Sequence, residues 1–133
     1  MIAANELRMG NWVKSNNPHD GRFVKFKYFH EDLHVAFFYK EAIGAFTKDI
    51  VGIPLTPEIL EKCGFVKPTK NDNHGGLLVS IGNDVSIRLK PLISGDGYYW
   101  DNFNGAYKVI IKHLHQLQNI YFALTNEELN YTP

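Results

Sequence analysis

Two histidine spacings in this 133-residue chain suggest a metal, His113-x-His115 and His30-x-x-x-His34. On a helix, positions two apart point about 200° apart, so His113 and His115 could share an ion only on an extended segment. His30 and His34 straddle a predicted turn and need a helix to lie on one face. No cysteine nearby and no acidic residue at a convincing spacing completes either set. Surface or hydrogen-bonded histidine is the better reading, and no metal or cofactor is expected. Cys63 is the chain's single cysteine, which excludes an internal disulfide and a four-cysteine zinc site. It falls in the last turn of a predicted helix, where the helix dipole opposes a thiolate, so it reads as a buried structural thiol and not as a nucleophile. No residue is assigned a catalytic role.

The glycine pairs in His74–Gly76 ("HGG") and Ser94–Gly97 ("SGDG") read as turns, because neither opens a helix after a strand with phosphate-loop spacing. In "DGYYWDNFNG", Tyr98, Tyr99, Trp100 and Asp101, with Asn102, Phe103 and Asn104, have the composition of a ligand-stacking loop. Strand alternation puts Tyr99 opposite Tyr98 and Trp100, which favours core filling over a platform. Trp12 with Lys14, Lys25 and Lys27 could make an aromatic and basic surface for nucleic acid. Against that stands the charge balance, 14 basic and 14 acidic residues, where nucleic-acid binders usually carry a basic surplus. Zero net charge also makes self-association credible.

These residues need elements to position them. Ser15–Gly21 is turn chemistry throughout, and Phe23–Phe29 reads as a strand. Val24, Phe26 and Tyr28 are expected on one face of it, Phe23, Lys25, Lys27 and Phe29 on the other. A second strand at His34–Tyr39 and a short one at Ile43–Thr47 complete a small antiparallel unit, with an SH3-like barrel as one arrangement. In "IPLTPEILEKCGF", Thr56 suits the N-cap, Pro57 the first helical position and Gly64 the left-handed position past the end. A meander follows: Leu77–Ile81, a turn at Gly82-Asn83-Asp84, Val85–Leu89, Tyr98–Asp101 and Tyr107–Ile111 around an "NFNG" turn.

The last helix, within "HLHQLQNIYFALTNEEL", has two faces. Leu114, Leu117, Ile120, Tyr121 and Leu124 form a stripe for the sheet. His115, Gln118, Asn119 and Phe122 form a second stripe, covered either by the N-terminal unit or by a partner. The helix is expected to stop near Thr125-Asn126. The fold class is therefore α+β: one compact domain over 1–133, or two lobes at 1–52 and 53–133. The N-terminus lacks a signal-peptide pattern and no apolar run is long enough to span a membrane, so an intracellular protein is expected.

Three blocks, "ANELRMGNWV" (Ala4–Val13), "IPLTPEILEKCGF" (Ile53–Phe65) and "HQLQNIYFALTNEEL" (His115–Leu129), resemble a family of small uncharacterised proteins of Bacteroides-group bacteria, often encoded in prophage or mobile-element regions. Asn126 stands where that family often has Gly. The resemblance implies a bacterial or phage cytoplasmic setting and carries over no activity and no site residues. The leading expectation is a non-enzymatic interaction protein acting on a protein partner or a second copy through the His115–Phe122 face. The alternatives are a nucleic-acid accessory protein using the N-terminal unit, and a small-ligand binder or enzyme using Tyr98–Asn104.

Overall fold

The computed structural model describes residues 2–69, 75–82, 85–101 and 109–133. Among these residues, nine strands form two antiparallel sheets, giving the α+β class. The first sheet holds β1 (Trp12–Ser15), β2 (Arg22–His30), β3 (Val35–Phe38), β4 (Ala45–Phe46) and β5 (Ile50–Val51), in the order β4-β3-β2-β1-β5. The second holds β6 (Leu77–Gly82), β7 (Val85–Pro91), β8 (Tyr98–Trp100) and β9 (Val109–Ile111) in chain order. Helix α1 (Pro57–Lys62) lies between the sheets in sequence, and α2 (Leu114–Thr125) follows the second. No helix among the described residues is long and apolar enough to cross a membrane.

Alternation along β1 to β3 turns Val13, Val24, Phe26, Ala36 and Phe38 inward, where they pack with Ile2, Ala45 and Ile50 in one core cluster. The expected grouping of Tyr28 with Val24 and Phe26 fails. The register with β3 shifts between Phe26 and Tyr28. An extra residue reverses the phase of a period-two pattern. Tyr28 therefore points outward and stacks on Phe37, ring centroids 4.9 Å apart, while Phe29 turns in against the core. After β4 a short 3-10 turn at Thr47–Asp49 leads into β5, which pairs with β1. Neither was expected.

The second core cluster gathers Ile87, Leu89 and Ile111 of the second sheet with Leu60 of α1 and Leu114 and Leu117 of α2. Helix α1 has the ends its sequence predicts. Thr56 Oγ1 accepts from the Ile59 N–H at 3.2 Å. Gly64, at φ +93°, lets the Phe65 N–H reach back to the Leu60 carbonyl at 3.0 Å, and Phe65 is buried with Leu60. At the start of α2, Gln116 Oε1 accepts from the N–H groups of Lys112 and His113. At its end Asn126 takes the left-handed conformation, φ 57°. The expected apolar stripe stops one turn early: Leu124 is 46% exposed, so the final turn has passed the core. The turns expected at Asn83-Asp84 and "NFNG", together with His74 and Tyr107, lie outside the described residues.

Candidate functional site

The second face of α2 is taken up within the chain. Gln118 lies buried against the segment that leads into β1. Its Oε1 accepts from the Trp12 N–H at 2.8 Å, and its Nε2 donates to the Gly10 carbonyl at 3.2 Å. A side-chain amide thus serves two backbone groups, as a neighbouring strand would. Asn119 Nδ2 donates to the Glu6 carbonyl at 2.8 Å, and its Oδ1 accepts from Asn11 Nδ2 at 2.9 Å. The Arg8 guanidinium lies 4.1 Å from the centroid of the Phe122 ring and makes a two-point ion pair with Glu128. That bond from Arg8 holds the Glu128 carboxyl below its ordinary value. The amides and Phe122 of this helix hold the N-terminal segment in place.

His115 is buried beneath the same segment, with neither ring nitrogen hydrogen-bonded. Glu6 Oε2 stands 3.9 Å from its Nε2, too far for a hydrogen bond. Burial, reinforced by His113, lowers its pKa to about 4. The expected divergence of the His113 and His115 rings does not occur. His113 is the extended N-cap residue, not a helical one, and the two rings lie nearly parallel with centroids 5.7 Å apart. His30 and His34 flank a turn, where His30 Nδ1 accepts from the Leu33 N–H. Among the described residues, no group of three or more His, Cys, Asp or Glu side chains could hold a metal ion.

Cys63 is buried, and burial pushes its thiol up to about 12, so little thiolate exists near neutral pH. A second arrangement escaped the sequence. Ser15 Oγ lies 2.8 Å from His19 Nδ1, and His19 Nε2 lies 3.9 Å from Glu41 Oε2. These are the residue types of a hydrolase triad, but Ser15 is 0% exposed. A hydroxyl with no surface meets no substrate, so the contact braces the Asn16–Gly21 turn. The Ser15-x-x-x-His19 spacing around a turn was the only signal for it.

In the second sheet, Tyr98 is buried and Trp100 packs against the core. Tyr99 faces the other way, in register with Lys90 and Ile110. The Asp101 carboxylate pairs with Lys90 Nζ at 2.9 Å. Asn102, Phe103 and Asn104 lie outside the described residues. One cleft of about 560 Å³ touches Tyr98, and among the described residues Glu61 and Lys67 are its charged lining side chains. Another of about 340 Å³ lies beside Tyr99 and Ile93.

The outer face of the first sheet is different in kind. Register places Trp12 beside Lys25 and Lys14 beside Phe23. The Tyr39 N–H donates to the Lys25 carbonyl, which sets Tyr39 on the far side of Lys25. Lys25 Nζ and Lys27 Nζ stand 5.5 and 5.6 Å from the centre of the Tyr39 ring. The C-terminal residues return across this face, and Tyr131 meets Trp12 edge-on at 5.7 Å. Two adjoining clefts result, of about 460 and 500 Å³, sharing Trp12, Lys25, Tyr39 and Tyr131. Lys40 lines the second. Among the described residues Lys14, Lys25, Lys27 and Lys40 form no ion pair, while the nearby acids are engaged: Glu128 by Arg8 and Glu41 by Arg22. The face therefore brings aromatic rings and lysines together, with Glu128 in the wall of the first cleft and Glu41 in that of the second. Comparison with models of known protein families, with curated proteins and with solved structures finds no match for this chain.

Proposed function

We propose that this chain is a non-enzymatic accessory protein of a phage or mobile element that binds nucleic acid on the outer face of its first sheet. The observation that carries the reading is the meeting of Trp12, Phe23 and Tyr39 with Lys25 and Lys40 in two adjoining clefts, whose acids Glu128 and Glu41 are engaged by Arg8 and Arg22. Phosphate attracts the lysines, and aromatic faces accept bases of any identity. The strand order β4-β3-β2-β1-β5, with a 3-10 turn between β4 and β5, supports treating this unit as an SH3-like barrel. The phage or mobile-element and cytoplasmic setting rests on the resemblance of the three sequence blocks. The His115–Phe122 face supports this reading indirectly, by fixing the segment that presents Trp12.

A gel-shift titration at low salt, with DNA and RNA oligonucleotides, tests the proposal. Binding is expected, with affinity falling as salt rises. Contacts to three or four phosphates give a log–log slope of about −2 to −3 for a single strand. No shift with any oligonucleotide at low salt sinks the reading. A dimer by light scattering in that case turns the assignment to the second reading, contact with a protein or a second copy. The exposed Val109 and Ile110 of β9, and Ile93 in the turn after β7, favour it.

A further inference from the structure

We infer that the nucleic acid is single-stranded and that two consecutive nucleotides occupy the paired clefts, one base in each, with the phosphate between them on Lys25. This rests on the nucleic-acid reading above and goes beyond it in strandedness, length and register. The two clefts are close in volume, about 460 and 500 Å³, each within the range of about 300–1,000 Å³ for small-molecule sites. They are not independent: Trp12, Lys25, Tyr39 and Tyr131 line both. A cation and three aromatic residues, of which Tyr131 is buried in the second core cluster, therefore make the wall or ridge that the two clefts share. The first cleft is also lined by Met9, Glu128 and Asn130, the second by Phe23, Lys40, Glu41 and Pro133.

A base enters such a cleft only when it is unstacked from its neighbours and unpaired from a complement. A duplex laid on this face presents phosphates and leaves both clefts unfilled. A single strand can place one base against Trp12 and Tyr39 on each side of the ridge. The phosphodiester between two such bases then crosses the ridge at Lys25, whose Nζ lies over the Tyr39 ring and shares the first cleft with the Glu128 carboxylate that Arg8 already engages. Lys40, which lines the second cleft and not the first, supplies a further cation for a neighbouring phosphate.

Calorimetric titration of the full chain at one salt concentration tests this, using thymidine monophosphate, a thymidine dinucleotide, oligo-dT of four and twelve residues, and a twelve-base-pair duplex. The dinucleotide is expected to bind at least about tenfold more tightly than the mononucleotide, since a second stacked base adds at least about that factor. Longer strands then add a shallow, salt-sensitive increment, and the duplex binds more weakly than the single strand of equal length. Lys25→Gln is expected to reduce the step from one nucleotide to two without changing the melting temperature. Tyr39→Ala weakens dinucleotide binding about tenfold. Affinity that rises evenly with phosphate count, or a duplex bound as tightly as the single strand, overturns this inference while leaving the nucleic-acid reading standing. No heat with any ligand overturns both.

Discussion

His115 is 1% exposed, with both ring nitrogens unbonded and a carboxylate oxygen of Glu6 at 3.9 Å. An imidazole in that position folds neutral, because charging it would strand a cation away from water. Its folded pKa of about 4 lies below its ordinary 6.5, so between those values the unfolded chain binds more protons. Its contribution is complete above pH 6.5 and is lost as pH falls toward 4. By pH 5 the loss relative to pH 7.5 is about 2 kcal/mol. Chemical denaturation at those two pH values should show a fall of that size, and His115→Leu should remove most of it. A variant that falls as steeply as the parent would clear His115 of the effect. His113, also lowered by burial first, adds a smaller slope in the same direction. None of this was legible in the H-x-H motif. Helical geometry alone separated the two rings, whereas His113 is an extended cap and the rings end up side by side.

At the scale of elements, what the sequence disclosed was local chemistry. Thr56, Pro57 and Gly64 mark the ends of α1 because capping groups act within a few residues of themselves. Asn126 ends α2 for the same reason. The sequence groups Trp12, Lys14, Lys25 and Lys27 by residue type alone, and it is strand register that sets Trp12 beside Lys25. What stayed hidden depends on partners distant in sequence. The shift at Phe26/Tyr28 is a property of the β2–β3 pair, and β5 is a strand only because β1 lies beside it. Tyr39 and Tyr131 joined the candidate site through sheet register and chain return, neither of which leaves a periodic trace. One junction can be tested directly. A Cβ on Gly52 would sit 2.4 Å from His113 Cγ. Gly52→Ala must therefore push the ring that caps α2, with an expected loss of about 1–3 kcal/mol. A melting temperature unchanged from the parent would show that the ring can move aside at no cost.

Across the whole molecule, two core clusters are tied by the segment from Glu6 to Trp12, which leads into β1 and is held by the last helix. The sequence blocks Ala4–Val13 and His115–Leu129 are the two halves of this contact. The Gln118 and Asn119 side-chain amides of the helix serve partners that lie more than a hundred positions away. Gln118→Leu keeps the volume but leaves the Trp12 N–H and Gly10 carbonyl without partners. Removing such pairing from two buried groups costs about 2–4 kcal/mol, to be read from denaturant midpoints, and a loss under 0.5 kcal/mol on the same scale would contradict the role given to Gln118. The Trp12 N–H also becomes a reporter. Because its acceptor is a helix side chain, its exchange with deuterated solvent is governed by how often α2 lifts from β1. One backbone proton thus clocks the parting of the helix from the sheet, at the tryptophan proposed to hold the ligand.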